Sequence, residues 1–362
     1  MTMMTLLIFI LGLIALTAGA ELLVRGASNI ASSLGISPLI VGLTVVALGT
    51  SSPELAVGVG AAWQGQADIA VGNVVGSNIF NILFILGLSA LIVPLTVAQQ
   101  LVRVDVPLLI VCSLSLTLLA LDGEIDRVDG AMLCLAIVLY TAFLVWQARR
   151  ERDSKVISEY QSAYPGARVK RWSANIAFIV SGLLLLVFGA NWLVDAAVVF
   201  ARHLGISELV IGLTVVSAGT SLPEVAASVA AAIKGERDIA VGNAIGSSIY
   251  NILLVLGATA LVAPHGVAVA PSVQHFDIPV MIAASVACLP IFFTGYRIDR
   301  WEGGVFLGYY ICYLSYLVLQ ATEHDLVAPF SKAMMFFVLP LTLLTFAILV
   351  GRSWRAGRRA QG

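Results

Sequence analysis

Two short polar stretches stand inside otherwise apolar segments of this 362-residue chain, and each ends on a glutamate. The first reads GTSSPE at residues 49–54 and the second reads GTSLPE at residues 219–224, which places Glu54 and Glu224 at equivalent positions. A charged side chain at the centre of a membrane helix costs about 2.5–3.5 kcal/mol or more, so it is retained there chiefly for function. Two such carboxylates predict a site that binds cations or protons.

Further oxygen donors follow the helical spacing of the two glutamates, because residues at i, i+3, i+4 and i+7 lie on one helix face. That face joins Glu54 to Ala47, Thr50 and Ser51, and it joins Glu224 to Ser217, Thr220 and Ser221. Proline has no amide hydrogen, so Pro53 and Pro223 should free the backbone carbonyls of Gly49 and Gly219. Unpaired backbone is tolerated at membrane depth only where it lines a cavity or meets another ligand.

The apolar segment after each motif carries a second polar stripe, with residues four apart. The stripes are Asn73, Ser77 and Asn81 in the first case, and Asn243, Ser247 and Asn251 in the second. Hydrogen bonds between helices would explain these stripes if they stood alone. Beside two glutamates they complete a set of hard oxygen donors with no shared His, Cys or Met. Such a set suits Ca²⁺, Na⁺ or Mg²⁺ and argues against zinc, copper or iron.

The elements that carry these residues are predicted to be membrane helices. The chain is 59% hydrophobic and 11% charged, whereas a soluble domain has about a quarter charged residues. All four cysteines fall in apolar runs at unrelated spacings and are predicted to be packing residues. A window of about 20 residues finds eleven apolar segments, near 4–24, 37–63, 69–93, 104–121, 129–148, 174–201, 207–233, 239–263, 276–295, 303–320 and 331–350.

Basic residues predict the orientation of these spans, because Lys and Arg stay cytoplasmic in short loops. With the loop 149–172 placed in the cytoplasm, alternation of the spans puts 17 of the 20 basic residues inside and leaves Arg127, Arg202 and Lys332 outside. The N-terminus is then outside and the C-terminus is cytoplasmic. We expect the loop itself to be a solvated linker, with binding to anionic lipid headgroups as an alternative.

Residues 42–87 and 212–257 form an internal repeat in which 29 of 46 aligned positions are identical. Five spans separate the two copies, an odd number, so the copies run in opposite directions through the membrane. Inverted repeats with polar, proline-interrupted segments indicate a transporter whose site lies where the repeats meet. The predicted organisation is a five-helix repeat at 1–148, the basic linker at 149–172, an inverted repeat at 173–322, and an extra helix with a basic tail at 323–362.

The first and sixth spans are rich in small residues, which let helices pack closely. We expect these two spans to slide against the core as a gate, and packing alone is the alternative explanation of their composition. The residues are Gly12, Ala15, Ala18 and Gly19 in the first span, and Gly182, Gly189 and Ala190 in the sixth.

The paired motifs, GTSSPE with GNVVGSNIFN and GTSLPE with GNAIGSSIYN, resemble the two alpha-repeats of the calcium/cation antiporter superfamily, the sodium/calcium exchangers. The resemblance covers roughly residues 4–320 and is closest to compact prokaryotic members. It implies an all-α polytopic membrane protein with a ten-helix core of two inverted five-helix repeats, in a prokaryotic cell (inner) membrane.

The same resemblance assigns roles to individual residues. It implies Ca²⁺ ligands at Glu54, Glu224 and the carbonyls of Thr50 and Thr220. Implied Na⁺ or shared ligands are Ala47, Ser51, Ser77, Asn81, Ser217, Ser221, Ser247 and Asn251. We expect Pro53, Pro223, Gly49, Gly219, Asn73 and Asn243 to support them.

The chain departs from this resemblance at two points. Many relatives carry Asp at one of the positions held here by Asn81 and Asn251, and the eleventh span lies outside the ten-helix pattern. Two acidic groups neutralise one Ca²⁺ or two Na⁺, so a third Na⁺ would rest on neutral oxygens. We expect the eleventh span to be a peripheral helix.

The sequence therefore predicts a secondary antiporter that exchanges Na⁺ for Ca²⁺ by alternating access, with no cofactor, no enzymatic activity and no nucleic-acid partner. A proton/calcium antiporter is the alternative among transporters, since both glutamates could exchange protons for the metal. An intramembrane hydrolase would need one asymmetric nucleophile or metal cluster, and a channel would need weaker binding than two facing carboxylates provide. Oligomeric state and selectivity among divalent ions and K⁺ follow from no pattern in the sequence.

Overall fold

The computed structural model describes residues 3–34, 36–64, 68–150, 172–204, 217–293 and 295–340. Within them, eight helices are long and apolar enough to cross a membrane. They are α1 (Met4–Leu34), α3 (Ala70–Ile92), α4 (Leu101–Asp122), α5 (Arg127–Ala148), α6 (Trp172–His203), α8 (Arg237–Val262), α9 (Val273–Phe293) and α10 (Arg300–Ala321). A further span, α2, is a pair of helices, Pro38–Thr50 and Ser52–Trp63, that meet at a bend of 41°. The shorter apolar helix α7 is Leu222–Ile233.

These helices confirm the polytopic fold predicted from the apolar segments. The predicted span 207–233 is described only from residue 217 onward, where a short helix at Ser217–Gly219 precedes α7. The predicted eleventh span is described as far as residue 340. Its helix begins before the predicted start, with α11 at Val327–Ala333 followed by a π-helical turn at Met334–Val338. Most of the basic linker and the tail beyond residue 340 lie outside the described residues.

Helices α1 and α6 cross in close contact, with glycines at both contact points. A Cβ atom built on Gly12 would lie 3.0 Å from the Gly189 carbonyl oxygen, and one built on Gly19 would lie 2.8 Å from the Gly182 carbonyl oxygen. Gly12 precedes Gly19 along α1, whereas their partners come in the reverse order along α6, so the two helices are antiparallel. Because Gly12 and Gly19 are the repeat equivalents of Gly182 and Gly189, a two-fold axis exchanges the two contacts. The halves are therefore inverted, as predicted.

A second pair of glycine contacts joins each half to the last helix of the other half. A Cβ atom on Gly87 of α3 would lie 3.0 Å from the Gly303 carbonyl oxygen of α10, and one on Gly257 of α8 would lie 3.1 Å from the Gly130 carbonyl oxygen of α5. Gly87 and Gly257 are equivalent residues of the repeat. Small residues permit this close approach of helix backbones in a membrane, so the two core helices α3 and α8 are each packed against the opposite half.

The break in α2 has a counterpart before α7. Ser51 has φ −79° and ψ 5°, and Ser221 has φ −92° and ψ 6°, and a proline lies two residues after each. The Ser51 amide donates to the Ala47 carbonyl at 3.0 Å and so closes the first half of α2. Because residues 53 and 223 are prolines, no amide is available for the normal helical bond to the carbonyls of Gly49 and Gly219.

Helices α3 and α8 also change their winding at equivalent places. α3 contains a π-helical turn at Phe80–Leu86, and α8 contains one at Asn251–Leu256. A π-helical turn inside an α-helix often marks a functional site, because it displaces the side chains around it. In both halves this turn holds the last asparagine of the polar stripe, Asn81 or Asn251.

Two short antiparallel sheets, which the sequence patterns did not predict, connect loops of opposite halves. β1 (Leu95–Thr96) pairs with β4 (Arg297–Ile298), and β2 (Glu124–Ile125) pairs with β3 (Val267–Ala268). The backbone groups of a loop require hydrogen-bond partners as strictly as those of a helix. The two sheets supply these partners between the halves without altering the helical class of the fold.

Candidate functional site

Glu54 and Glu224 lie buried in the core, at the start of the helices that follow the two breaks. Their exposed fractions are 0% and 1%, and each occupies the first turn of its helix. The N-terminal end of a helix carries a partial positive charge, which favours a carboxylate there. The broken helices thus place both carboxylates inside the protein, as the sequence predicted for the site.

Each carboxylate is held by the serine of the opposite half. Ser221 Oγ donates to Glu54 Oε1 at 3.0 Å, and Ser51 Oγ donates to Glu224 Oε1 at 3.4 Å. Ser51 and Ser221 are equivalent in the repeat, as are the two glutamates, so a two-fold axis relates these bonds. The two GTSxPE motifs, which lie 170 residues apart in the chain, therefore contact each other in one joint site.

Several buried oxygens at this site have no protein partner. Glu54 Oε2, Glu224 Oε2 and Asn251 Oδ1 make no hydrogen bond among the described residues, and neither polar side-chain atom of Asn81 makes one. An unpaired polar atom buried in protein costs about 1–3 kcal/mol, and an unpaired charge costs more. A cation bound between the carboxylates would satisfy these oxygens. The donors therefore fit a hard cation.

The hydroxyls around Glu54 form a short chain. Ser221 Oγ lies 3.0 Å from Glu54 Oε1 and 3.1 Å from Ser77 Oγ, so it bridges α2 and α3. All three side chains are buried. Ser77, which the sequence placed on the polar stripe of α3, is thus linked to the carboxylate through Ser221.

On the Glu224 side, the structure joins Thr50 to the polar stripe of α8. Thr50 Oγ1 donates to Asn243 Oδ1 at 3.0 Å and lies 3.4 Å from Ser247 Oγ. The amide of Asn243 in turn donates to Ser228 Oγ at 2.9 Å and to the Glu224 carbonyl at 3.3 Å. Asn243 therefore hydrogen-bonds the backbone that carries Glu224.

The two halves differ around the threonines. Thr50 is fully buried, whereas its equivalent Thr220 is half-buried, as is Asn73. Among the described residues no hydrogen bond between Thr220 and Asn73 repeats the one between Thr50 and Asn243. Ser228 holds Asn243 in the second half. Its equivalent in the first half is Gly58, which has no hydroxyl to hold Asn73 in the same way. The sequence predicted equal roles for the two threonine carbonyls, and the structure gives the two side chains different surroundings.

Three of the remaining predicted residues, Ala47, Gly49 and Gly219, are described by their packing. Ala47 is buried, and the side chain of Ser217 lies outside the described residues. Gly49 and Gly219 pack against α6, where an added Cβ on Gly49 would lie 2.7 Å from Leu183 and one on Gly219 would meet Val194. Both glycines therefore allow the two helix breaks to pack closely against α6.

Asn78 bonds the predicted site residue Asn251 but was itself not predicted from the sequence. It is fully buried, and its amide donates to the Ser248 carbonyl at 3.1 Å. It follows Ser77 directly, so the four-residue spacing of the stripe excluded it. The available signal was that both halves carry a polar residue at this position, Asn78 and Ser248.

Histidine and cysteine contribute nothing to this site. Over the described part of the chain, no group of three or more His, Cys, Asp or Glu side chains is placed to hold a metal ion. The site consists instead of two carboxylates surrounded by hydroxyl and amide oxygens. That donor set suits Ca²⁺ and Na⁺, which prefer oxygen ligands.

Comparison with known proteins gives a consistent family. The family model for the sodium/calcium exchanger protein matches residues 4–146 and 174–319. The match covers both repeats and ends before α11, as expected for a helix outside the ten-helix pattern.

Individual relatives agree with this match. The chain is 43% identical over 319 residues to CaxA, an antiporter candidate of Alkalimonas amylolytica, with 87% of this chain and 98% of the relative covered. It is 34% identical over 340 residues to the sodium/calcium exchanger MaX1 of Methanosarcina acetivorans, with 85% and 97% covered. The solved sodium/calcium exchanger of Methanococcus jannaschii superposes with a TM-score of 0.74 at 31% identity, over 87% of this chain and 99% of that one.

Proposed function

The chain belongs to the sodium/calcium exchanger protein family, and we propose that it exchanges Na⁺ for Ca²⁺ across a prokaryotic inner membrane. The observation that carries the proposal is the pair of buried carboxylates. Glu54 and Glu224 each bond a serine of the other half and each keep one oxygen without a partner among the described residues. We propose that both free oxygens bind a single cation.

Charge balance supports Ca²⁺ as one of the two ions. Two carboxylates neutralise one Ca²⁺, and the carbonyls of Thr50 and Thr220 would complete its ligands together with Glu54 and Glu224. Neutral oxygens around the carboxylates suit Na⁺. Proposed Na⁺ ligands are Ala47, Ser51, Ser77, Asn81, Ser217, Ser221, Ser247 and Asn251.

In this proposal, Na⁺ and Ca²⁺ transport are coupled because the empty site, with two uncompensated negative charges, is excluded. Two unpaired carboxylates in a buried site are unfavourable by several kcal/mol. The protein therefore changes the side to which the site opens only when the site holds Ca²⁺ or Na⁺, and each ion moves in exchange for the other. The glycine-lined crossing of α1 and α6 is the proposed moving element, since both helices contact the breaks or lie beside them.

The number of Na⁺ ions decides how steep a Ca²⁺ gradient the exchange sustains. A tenfold Na⁺ gradient supplies about 1.4 kcal/mol per ion, and one net charge crossing 100 mV supplies about 2.3 kcal/mol. Three Na⁺ for one Ca²⁺ then give about 6.5 kcal/mol, which sustains more than four decades of Ca²⁺ gradient, whereas two give about two decades. We propose three, with the third Na⁺ on neutral oxygens.

Protons are the rival coupling ion, because a carboxyl can release Ca²⁺ by taking up a proton. The hydroxyls and amides around Glu54 and Glu224 favour Na⁺, since a proton requires no such set of ligands. A hydrolase is disfavoured, because the polar residues are duplicated about a two-fold axis and no single asymmetric nucleophile stands out.

Flux of ⁴⁵Ca²⁺ into proteoliposomes tests the proposal directly. Gradients of Na⁺, K⁺ and H⁺ are imposed one at a time, with a protonophore present in the Na⁺ and K⁺ series to clamp the pH. We expect uptake that follows the outward Na⁺ gradient. Uptake that follows the pH gradient and ignores Na⁺ would establish the proton/calcium alternative instead.

A further inference from the structure

The side chains of Asn251, Asn78 and Met281 form a chain of contacts between α8, α3 and α9. Asn251 Nδ2 donates to Asn78 Oδ1 at 3.3 Å, and Asn78 Nδ2 donates to the Ser248 carbonyl at 3.1 Å. The sulfur of Met281, a weak acceptor, lies 3.5 Å from the same Asn78 nitrogen. Asn78 and Asn251 are fully buried.

The Ser248 carbonyl determines the orientation of both amides. A backbone carbonyl only accepts hydrogen bonds, so the Asn78 atom that faces it must be the nitrogen. The other polar side-chain atom of Asn78, which faces Asn251, must then be the oxygen. An oxygen there requires a donor from Asn251, so the Asn251 nitrogen faces Asn78. Neither amide can rotate by 180° without placing two donors or two acceptors together.

This orientation leaves the carbonyl oxygen of Asn251 pointing away from Asn78. Asn251 Oδ1 is buried and makes no hydrogen bond among the described residues. One turn earlier on the same face of α8, Ser247 lies 3.4 Å from Thr50. The free oxygen of Asn251 is thus presented from the helix face that already contributes to the site.

The equivalent asparagine of the first half has no such restraint. The residue equivalent to Asn78 is Ser248, and its hydroxyl donates to the Ala244 carbonyl of its own helix at 2.9 Å. Both polar side-chain atoms of Asn81 make no hydrogen bond among the described residues. Hydrogen bonds therefore fix the orientation of the Asn251 amide, whereas none among the described residues fixes that of the Asn81 amide.

We propose that Asn78 is a positioning residue which holds Asn251 with its carbonyl oxygen toward the transported cation. Asn251 is then a fixed oxygen ligand, while Asn81 adapts its amide to the occupancy of the site. A reversed Asn251 amide would present its hydrogens to the cation and weaken binding. This inference rests on the proposed function, because the cation is taken to be the transported Ca²⁺ or Na⁺.

Replacement of Asn78 tests the inference in two assays. Asn78→Ala and Asn78→Ser are compared with wild type for equilibrium ⁴⁵Ca²⁺ binding to purified protein and for Na⁺-driven ⁴⁵Ca²⁺ uptake by proteoliposomes. Serine is included because Ser248 shows that the equivalent position accommodates it. We expect the half-saturating Ca²⁺ and Na⁺ concentrations to rise about three- to tenfold, the worth of one net hydrogen bond, with the maximal rate little changed.

A second substitution separates positioning from packing. A carboxyl group presents an oxygen in either orientation, so in an Asn251→Asp background the replacement of Asn78 should no longer raise the half-saturating concentrations. Ser285→Ala is the matched control. Ser285 is buried, its hydroxyl donates to the Met281 carbonyl of its own helix at 2.8 Å, and its replacement should leave binding unchanged.

The opposing outcomes are distinct. Unchanged half-saturation in both Asn78 variants, or an equal loss of affinity in the wild-type and Asn251→Asp backgrounds, would overturn the positioning role. A lower maximal rate with unaltered affinity would also overturn it. Absence of Na⁺-driven uptake by the wild type would refute the proposed coupling ion, and the equilibrium ⁴⁵Ca²⁺ measurement would still decide whether Asn78 positions Asn251.

Discussion

Ser221 donates a hydrogen bond of 3.0 Å to Glu54 and thereby joins the second half of the chain to the carboxylate of the first. The reciprocal bond from Ser51 to Glu224 is longer, at 3.4 Å. Neither half contains a complete site, because each carboxylate depends on a hydroxyl from the other half. The small difference between the two bonds also shows that the site is only approximately two-fold.

Glu54→Gln and Glu224→Gln should each abolish Ca²⁺ transport. Either change removes one of two negative charges and replaces a carboxylate oxygen by an amide nitrogen, so a divalent cation is no longer neutralised. Uptake of ⁴⁵Ca²⁺ by proteoliposomes measures the effect. Glu124→Gln, at an exposed residue of β2, is the control and should transport normally. Substantial uptake by either site variant would refute the assigned site.

Ser221→Ala should weaken transport more than Ser51→Ala. Ser221 makes bonds of 3.0 and 3.1 Å to Glu54 and Ser77, whereas the bond from Ser51 is at the limit of hydrogen-bond distance. A hydrogen bond to a charged group contributes about 1.5–3 kcal/mol, which for Ser221 corresponds to a loss of about tenfold or more in apparent affinity. The Na⁺ dependence of uptake measures this order. A larger loss of apparent affinity in Ser51→Ala than in Ser221→Ala would show that the difference in bond length does not affect function.

Asn251→Asp should make transport depend on pH. The substitution adds a third carboxyl to a site that has two, and this group can take up a proton whenever the cation leaves. We expect uptake that declines as the pH falls, over a range in which the wild type changes little. Purified yield, measured alongside, should remain near that of the wild type. Identical pH profiles would indicate that residue 251 does not face the cation.

Gly182→Ala should destabilise the protein, although alanine is the better helix former by about 1 kcal/mol. An added Cβ would lie 2.7 Å from the Leu23 amide nitrogen and 2.8 Å from the Gly19 carbonyl oxygen, and neither backbone atom can move aside easily. Gly308→Ala is the control, since no atom lies within 4 Å of its Cβ position among the described residues. Thermal unfolding in detergent should show a lower Tm for Gly182→Ala alone. Equal effects of both changes would contradict the close crossing of α1 and α6.

Trypsin should cleave the basic linker from the cytoplasmic side only. The segment 149–172 contains seven Lys and Arg residues, and the predicted orientation exposes it in inside-out vesicles and protects it in right-side-out vesicles. Fragments of about half the chain length are read by gel electrophoresis. Cleavage of right-side-out vesicles would reverse the orientation assigned to both termini.

Local patterns in the chain were enough to predict the membrane helices and their inversion, and they single out the residues proposed for the site. Apolar length, helical spacing and the position of proline are properties of the local chain, and an internal repeat makes them visible twice. Glu54 and Glu224 could be recognised together for this reason, although 170 residues separate them in the chain. Spacing within one helix also placed Thr50 and Ser51 on the face of Glu54.

The contacts among these residues, in contrast, are visible only in the folded protein. Periodicity assigns a residue to a face of its helix but does not specify which residues that face contacts. Those contacts depend on how helices from opposite halves cross. The bond between Ser221 and Glu54, the unequal surroundings of Thr50 and Thr220, and the place of Asn78 all arise from such crossings. The paired glycines of α1 and α6 set one of these crossings, because backbones that approach so closely leave the two helices little freedom to shift.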